Sequence, residues 1–435
     1  MIKRLTWILL VAAILLQSEN QRSSAAEARK RPNILLILSD DVGDEVLGCY
    51  GGTQVKTPYL DKLAKTGVRF THCYAMPVCH PTRICLLTGK YPFRWQHPKW
   101  GSFPKKAESR TVASVMKRAG YRTAVAGKWQ LTMLKDDLDH PHRLGFDEYS
   151  LFGWHEGPRY FQPLIWQNGK LRDDVKDRYG PDVYTDFLID FMKRSGDDPF
   201  FAFYSMALCH DVTDDLDKPV PHGPMGRYES YDEMAIAMDR QVGKLVSALD
   251  KLKLREDTLI LFTGDNGTPK RSYIKHENGK LIRDPVSIRV GDEVIPGGKG
   301  ELTDAGTRVP FIANWKGTIA GKQVLDDLID MSDFMPTIAE FANDKSNRKM
   351  SLDGSRFNLR LKGFGRPIRK FAFAEHRGKF WVRDQNFKLY SDGRFFHVSK
   401  DVDEEAALDT TALKAAETEA HERLGKLIAR FRQRK

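Results

Sequence analysis

Residues 33–41 of this chain, NILLILSDD, decide its fold. The five consecutive aliphatic residues at 34–38 are typical of a central parallel strand that is buried on both faces. The run ends in the carboxylate pair Asp40 and Asp41. Ligands of open α/β sheets bind beyond the carboxyl ends of the strands. We therefore expect this pair at a binding site, although an Asp-Asp pair more often only shapes a turn.

A second buried strand is predicted at residues 258–263, and it runs directly into Asp265 and Asn266. An Asp-Asn-Gly sequence alone usually marks a turn. Two strands that both end in paired oxygen donors indicate instead one shared site for a hard cation. Because all four side chains offer only oxygens, they suit Ca²⁺ or Mg²⁺ better than Zn²⁺.

Strands and helices alternate between these two strands. Apolar spacing predicts helices at residues 59–67, 112–119, 183–194 and 228–253, and strands at 68–71, 123–126, 199–204 and 307–312. Residues 267–300 are polar and could hold a hairpin. This alternation predicts an α/β fold with a large mixed, mostly parallel sheet wrapped by helices.

The character of the chain changes after about residue 345. Short aromatic runs at 371–374, 380–383, 387–390 and 395–398 are separated by turn residues, which predicts an antiparallel meander. Helix-forming residues follow from about residue 412 to the end. We therefore expect a leader at 1–26, an α/β catalytic domain at 27–345, and a C-terminal small antiparallel sheet plus helix at 346–435.

The N-terminus resembles an export signal. Lys3 and Arg4 precede an apolar run at residues 5–16, and small residues follow at 24–26. This pattern predicts a secretory signal peptide cleaved near Ala26, and so an exported protein that is periplasmic or secreted. The run is shorter than the span of about 20 residues that a bilayer needs, so no stable membrane insertion is expected.

The net charge indicates the class of binding partner, and the number of cysteines indicates how many disulfides the chain could form. The formal net charge of +11 over 435 residues favours an anionic partner. No nucleic-acid motif accompanies the basic residues, so a sulfated polymer ranks above nucleic acid. The 5 cysteines are too few for a disulfide framework, which leaves one or two disulfides and free buried thiols both open.

Residues 79–89, CHPTRICLLTG, contain the pattern Cys-x-Pro-x-Arg, four residues, Thr-Gly. This pattern resembles the maturation signature of the formylglycine-dependent sulfatases (arylsulfatase-like) of the alkaline phosphatase superfamily. The resemblance implies that a formylglycine-generating enzyme oxidises Cys79 to Cα-formylglycine, whose hydrate supplies an activated nucleophile. Thr82 stands where the family usually has serine.

The same resemblance extends in order over nearly the whole mature chain and implies a role for each polar site residue. The metal ligands would be Asp40, Asp41, Asp265, Asn266 and an oxygen of the modified Cys79. Arg83 would stabilise the diol, and Lys128 would bind a sulfate oxygen. His210 and Lys299 would hold the ester oxygen and help to protonate the leaving group.

Besides Thr82, two residues and one short segment depart from the family pattern. Gln130 replaces a histidine that contacts the formylglycine, Cys209 replaces a proline before His210, and residues 304–306 replace a Glu-Gly-Gly sequence. Glutamine cannot titrate near neutral pH. We therefore expect sulfate release to be slower than release of the alcohol.

The predicted function is a sulfuric ester hydrolase that removes sulfate from a sulfated carbohydrate. The alternatives are a phosphonate or phosphate diester hydrolase of the same fold and an unmatured, non-catalytic glycan-binding homologue. Substrate contacts are expected on loops. The candidates are Trp95, His97, Lys99, Trp100, Arg271, Tyr273 and His276.

Overall fold

The computed structural model describes residues 31–211, 222–223, 226–228, 230–277, 280–343, 350–367 and 369–433. The leader at 1–26 and the domain boundary at 345 lie outside these ranges and stay predictions. No helix among the described residues is both long and apolar enough to cross a bilayer.

The strands and helices of the described residues are numbered here in chain order. The strands are β1 Asn33–Ser39, β2 Val68–Tyr74, β3 Arg122–Trp129, β4 Glu148–Gly153, β5 Trp166–Gln167, β6 Lys170–Leu171, β7 Phe200–Ser205, β8 His222–Gly223, β9 Gly226–Arg227, β10 Thr258–Gly264, β11 Arg271–Glu277, β12 Lys280–Pro285, β13 Ser287–Val290, β14 Glu293–Pro296, β15 Arg308–Asn314, β16 Gln323–Asp330, β17 Ala372–His376, β18 Lys379–Arg383, β19 Lys388–Tyr390 and β20 Phe395–Phe396. The α-helices are α1 Pro58–Lys65, α2 Cys79–Thr88, α3 Val112–Arg118, α4 His140–Arg143, α5 Gly180–Ser195, α6 Tyr231–Lys251, α7 Asp304–Thr307, α8 Phe334–Phe341, α9 Asn358–Leu361 and α10 Ala415–Arg432.

A 10-stranded mixed sheet organises the molecule, in the order β16-β2-β15-β10-β1-β7-β3-β4-β5-β6. β1 pairs in parallel with β10 on one side and with β7 on the other. Only β15 and β5 run against the common direction of the described strands. The large, mostly parallel sheet predicted from the alternation of strands and helices is confirmed.

The core lies on both faces of this sheet because alternate residues of β1 point in opposite directions. Ile34, Leu36 and Leu38 pack on the face covered by α2, α3 and α8. Leu35 and Ile37 pack on the face covered by α1, α5 and α6. The run of five aliphatic residues is therefore explained by burial on both sides.

The C-terminal part forms a 4-stranded antiparallel sheet in the order β17-β18-β19-β20, as the aromatic runs predict. Helix α10 lies against it, and Phe431 near the end of that helix packs on Phe373 with ring centroids 4.9 Å apart. Phe431 also contacts Tyr91 and Phe93, which directly follow the α2 segment. Helix α10 thus completes the core beside α2, the helix that contains Cys79.

Several boundaries differ from the sequence prediction. The polar segment 267–300 contains two hairpins, β11–β12 and β13–β14, instead of one. The predicted helix at 228–253 begins only at Tyr231, where Ser230 caps it by accepting from the backbone N–H of Glu233. Strand β3 continues through Lys128 to Trp129, so Lys128 lies inside the strand and not after it. All five cysteines are free thiols, which excludes the disulfide alternative.

Candidate active site

The parallel register of β1 and β10 brings the two predicted oxygen-donor pairs together. Ser39 stands opposite Gly264 at the ends of the strands, so the next residues of each strand meet beyond the sheet edge. The backbone N–H of Asp41 donates to Asp265 Oδ1 at 3.2 Å, and Asn266 Nδ2 donates to Asp41 Oδ1 at 2.8 Å. Asp40, Asp41, Asp265 and Asn266 are all buried.

These residues belong to a larger group, which we call the carboxyl-edge cluster. Its members come from five segments of the chain and are Asp40, Asp41, Cys79, Arg83, Lys128, Asp265, Asn266 and Lys299. The sequence prediction named each of them as a site residue, and the structure brings all eight to one edge of the sheet.

Cys79 is the first residue of α2 and is 6% exposed. Its sulfur and one oxygen each of Asp40 and Asp265 lie within 4.8 Å of one another. Burial raises the pKa of the Cys79 thiol, and the charges of Asp265 and Asp40 raise it further, while Lys128 and Lys299 oppose the shift. The unmodified thiol is therefore a weak nucleophile at neutral pH.

Thr82, which replaces the family serine, fits the helix start. Its hydroxyl donates to the backbone oxygens of Met76 and Val78 at 3.2 and 3.1 Å. A serine hydroxyl could make the same bonds, so the first turn of α2 tolerates either residue.

Arg83 points from α2 into the cluster. Its guanidinium donates to Asp265 Oδ2 at 2.7 and 3.1 Å and lies 3.8 Å from Asp40 Oδ2. It also donates to the hydroxyl of Ser205, which in turn donates to the backbone oxygen of Lys128 at 2.7 Å. Ser205 thereby links α2 to β3.

Lys128 reaches Asp40 Oδ2 with its Nζ at 2.5 Å, and both side chains are buried. The preceding Gly127 allows this position. Its φ is +100°, and a Cβ atom there would lie 2.0 Å from the backbone oxygen of Ser205. Any residue with a side chain would therefore push β3 away from β7 and displace Lys128.

Lys299 closes the solvent side of the cluster. Its Nζ lies 2.6 Å from Asp41 Oδ1 and 2.7 Å from Asp41 Oδ2. The backbone N–H of the adjacent Gly300 donates to the oxygen of Pro77 at 2.8 Å. The loop that carries Lys299 is therefore attached to the segment just before Cys79.

His210 lies on the other side of Asp40. One ring nitrogen of His210 and one oxygen each of Asp40 and Asp41 lie within 4.8 Å of one another. Arg159 places NH1 at 3.1 Å from His210 Nδ1, and the Trp154 ring packs edge-on against the histidine at 4.7 Å. The backbone N–H of Cys209, the residue in the family's proline position, donates to Asp40 O at 2.6 Å.

The two central carboxylates differ in charge environment. Burial raises the pKa of Asp265 to about 6, and repulsion from Asp40 adds to this, although Arg83 opposes it. Burial also acts to raise the pKa of Asp40, but Lys128, His210, Arg83 and Lys299 together hold it well below its usual range. The cluster therefore keeps at least one negative charge in a buried place.

The donor set fits a hard divalent cation. Asp40 Oδ1 and Asn266 Oδ1 are buried and have no hydrogen-bond partner within the described part of the chain. Buried oxygen acceptors without a partner are uncommon in native proteins and call for an explanation such as an ion. Two orphaned oxygens beside the carboxylates Asp41 and Asp265 are the ligands that Ca²⁺ or Mg²⁺ prefers.

Gln130 follows β3 two residues after Lys128 and is buried. Its Oε1 likewise has no hydrogen-bond partner among the residues that the structure describes. The side-chain oxygen of Gln130 is thus another buried acceptor without a partner in the described chain, and it lies at the position where the family has a titratable histidine.

Sequence reasoning missed Ser205, Trp154 and Arg159. Ser205 ends β7, and Trp154 directly follows β4. Both lie at carboxyl ends of strands, as Asp40 does, but a single serine or tryptophan at a strand end does not by itself indicate a site. Arg159 lies in a connecting loop and carries no such signal.

The loop residues proposed as substrate contacts lie in different parts of the structure. Trp100 contacts Trp154 and so belongs to the surroundings of the cluster. Trp95 donates instead to Thr88 at the far end of α2, and His97 lies 3.7 Å from Glu375 of the C-terminal sheet. Arg271 is exposed on β11, and the side chains of Tyr273 and His276 lie outside the described part.

Comparisons with known proteins agree with this geometry. The family model described as sulfatase matches residues 32–344. The steryl-sulfatase of Mus musculus is 30% identical over 78% of this chain and 66% of its own length, so the match spans just under two thirds of that relative. An N-acetylgalactosamine-6-O-sulfatase of Bacteroides thetaiotaomicron is 27% identical over 70% of each chain.

Solved structures share the fold. The crystal structure of Ps i-CgsB superposes with a TM-score of 0.73 at 25% identity and covers 92% of this chain and 93% of its own. The agreement therefore includes both the ten-stranded sheet and the C-terminal sheet.

Proposed function

The chain belongs to the sulfatase family of sulfuric ester hydrolases, and we propose that it removes sulfate from a sulfated carbohydrate by means of a formylglycine at position 79 and one divalent cation. The observation that carries the proposal is the convergence of Cys79 with the orphaned oxygens of Asp40 and Asn266 at one buried place.

The proposed cation is Ca²⁺, with Mg²⁺ as the alternative, held by Asp40, Asp41, Asp265, Asn266 and an oxygen of the modified residue 79. When bound, such a cation supplies positive charge to the sulfuryl oxygens and to the nucleophile. Formylglycine in its hydrated form would supply one hydroxyl for attack on sulfur and a second whose deprotonation expels sulfate.

The residues of the chain itself account for the remaining requirements. Lys128 supplies an ammonium group that can bind a sulfate oxygen, and Lys299, on the other side of the carboxylates, is assigned with His210 to the ester oxygen. His210 lies within reach of the same place and is assigned to the ester oxygen, where a proton must be delivered to the leaving alcohol. Arg83 orients Asp265 through two hydrogen bonds.

The carbohydrate substrate is proposed from the net charge of +11 and from the relative that is named for a sulfated amino sugar. Export to the periplasm or the medium is proposed from the N-terminal pattern. N-terminal sequencing of protein recovered outside the cytoplasm should begin near residue 27, and an intact Met1 there would contradict the leader.

The function is tested by coexpression with a formylglycine-generating enzyme. Mass spectrometry of the peptide with Cys79 should show the aldehyde, and the protein should hydrolyse 4-nitrocatechol sulfate. Cys79→Ala should abolish turnover, whereas Cys85→Ala, which removes a buried thiol further along the same helix, should keep it. Thiol alone at position 79 in active protein would refute the proposal. A higher kcat/KM for phosphonate or phosphate diesters would indicate the alternative hydrolase, and a folded but inactive thiol form would indicate the glycan-binding alternative.

A further inference from the structure

Trp100 is an exposed tryptophan that is nevertheless held in a fixed position. Its side chain is 47% exposed, while its ring lies 5.5 Å from that of Trp154 and 5.3 Å from that of His155. No other described tryptophan is exposed to this degree. Trp100 is therefore not an isolated surface side chain but the exposed member of a group of three aromatic rings.

The loop that carries Trp100 is anchored to the nucleophile helix. Ser102 closes a turn by donating its backbone N–H to Lys99 O at 3.0 Å, and His80 Nε2 lies 2.8 Å from Ser102 O. Because a carbonyl oxygen can only accept, His80 donates its Nε2–H to Ser102, and this ties the loop of Trp100 to the residue next to Cys79.

Trp154 connects this exposed ring to the catalytic cluster. It is 7% exposed, and Lys128 Nζ lies 4.5 Å from its ring centroid. Arg159 places its guanidinium 4.7 Å from the same ring. Trp154 Nε1 also donates to His155 Nε2 at 3.0 Å, which fixes the third ring. An aromatic wall therefore runs from the lysine of the carboxyl-edge cluster out to solvent.

We infer that Trp100, Trp154 and His155 form a carbohydrate subsite beside the sulfate position, in which Trp100 stacks on the sugar ring adjacent to the sulfated one. The inference rests on the proposed function. Trp154 borders the place where Lys128 would bind sulfate, so the sulfated ring meets its exposed edge. Trp100 lies one ring further out and presents a free apolar surface there. Sugar rings carry patches of C–H groups that pack on such surfaces, so the subsite selects an oligosaccharide over a single sulfated sugar.

The test compares matured wild type with Trp100→Ala on sulfated tetrasaccharides prepared from chondroitin sulfate, heparin and carrageenan, on the matching sulfated monosaccharides, and on 4-nitrocatechol sulfate. For the tetrasaccharide that wild type cleaves best, Trp100→Ala should raise KM about 10-fold with kcat nearly retained. For Trp100→Ala, the ratio of kcat/KM for this tetrasaccharide to kcat/KM for the aryl sulfate should fall by the same factor. Trp100→Phe, which keeps an aromatic face, should recover most of the loss.

Phe364→Ala is the matched control, because Phe364 is also an exposed aromatic residue, at 67%, but lies beside Leu359, far along the chain from the cluster. Its selectivity should equal that of wild type. An unchanged ratio in Trp100→Ala, or a wild type that prefers no tetrasaccharide over its monosaccharide, overturns the subsite.

Failure of the proposed function would look different. A wild type that cleaves neither the aryl sulfate nor any sugar refutes sulfate hydrolysis. Calorimetry of tetrasaccharide binding to the unmatured protein then still decides the subsite. Weaker binding by Trp100→Ala than by Phe364→Ala supports it, and equal binding or none overturns it.

Discussion

The carboxyl-edge cluster and a second buried group of charges differ in whether their polar atoms are satisfied. The second group, which we call the Arg369 network, consists of Tyr91, Asp330, Ser332, Asp333 and Arg369. Arg369 donates to Asp330 at 2.6 Å, to Asp333 at 2.5 Å and to the hydroxyls of Tyr91 and Ser332 at 3.0 Å each. No buried side-chain atom of these five residues lacks a partner.

The carboxyl-edge cluster is also a buried group of carboxylates and cations, but it leaves two buried oxygens, on Asp40 and Asn266, without a partner in the described chain. Burying a charge is costly unless its remaining lone pairs are used. A network that serves the fold therefore closes on itself, whereas a site that binds a ligand leaves acceptors for that ligand. The unsatisfied oxygens therefore distinguish the site from a charge network that serves only the fold.

Removal of the cation should produce the largest effect. Chelator treatment of the matured enzyme is expected to reduce kcat/KM for 4-nitrocatechol sulfate by at least about 10³-fold, because the sulfuryl charge loses its main counter-charge. Added Ca²⁺ should restore activity at one equivalent and should also raise the melting temperature. Full activity in metal-free protein, verified by elemental analysis, would place the orphaned oxygens outside catalysis.

Arg369→Leu should have the opposite profile. We expect it to lower the free energy of unfolding by about 3–5 kcal/mol, because it leaves Asp330 and Asp333 buried without a counter-charge. The kcat of the folded protein should stay unchanged. Urea denaturation measures the first quantity, and turnover at low temperature the second.

The matched control is Arg423→Leu, which removes a half-exposed partner of Asp384 and should cost less than about 1 kcal/mol. Adding Asp330→Asn and Asp333→Asn to Arg369→Leu should recover part of the stability. The distinction between the two buried groups fails if Arg369→Leu is no more destabilising than Arg423→Leu, or if it impairs catalysis.

Glu375 sharpens the comparison, because it is buried with a hydrogen bond but without a cation in contact. Burial raises its pKa to about 8, with Asp353 adding to the shift, while the Phe93 N–H at 2.8 Å and Arg94 oppose it. The half-exposed His97 lies 3.7 Å away. A raised folded-state pKa contributes stability that is complete below pH 4.5 and is lost as the pH rises to about 8.

Glu375→Gln removes this titration and keeps the acceptor for Phe93. Its stability relative to wild type should therefore rise by about 4 kcal/mol between pH 5 and pH 8.5. Thermal unfolding at the two pH values measures the difference, and Glu422→Gln, at an exposed position of α10, serves as the control. A constant difference between Glu375→Gln and wild type would show that Glu375 is already ionised in the folded state.

Substitution of Gln130, whose side-chain oxygen is an unsatisfied acceptor inside the site, is expected to have the smallest effect on activity. Because glutamine cannot act as a base, we expect a burst of released alcohol followed by slow sulfate release. Gln130→His should shrink the burst and raise kcat about 10-fold. Stopped-flow measurement with 4-nitrocatechol sulfate resolves both phases. A linear time course in wild type, unaltered by the histidine, would show that another group serves as the base.

Much of the fold was accessible from sequence because the strong signals are local. The aliphatic runs of β1 and β10 and the aromatic runs at 371–398 predicted the two sheets, and the oxygen pairs after β1 and β10 predicted which residues meet. Two hairpins at 267–300 were not separable, since short polar strands lack a clear period. The end of β3 was misplaced, because Gly127 and Lys128 look like a loop and only the close approach of Ser205 explains them.

The supporting residues of the site were the least predictable. Trp154 and Arg159 act through contacts with Lys128 and His210, and such contacts depend on how distant loops fold back. Ser205 connects Arg83 to β3 through one hydroxyl, and a serine at a strand end has no distinctive pattern. The charged residues of the site are predictable from the sequence, whereas the residues that orient them are recognised only in the three-dimensional structure.

The position of α10 has a consequence for the timing of synthesis. Phe431 packs on Tyr91 and Phe93, so the aromatic core beside α2 cannot be completed until the last residues of the chain have been made. Roughly 340 residues separate Cys79 from α10, and at about 5–20 residues per second their translation takes roughly 20–70 s. Throughout that interval the aromatic core beside α2 is incomplete, so the proposed maturing enzyme would meet Cys79 in a chain that has not finished folding. The length of chain that follows Cys79 would thus set the time in which the proposed modification can occur.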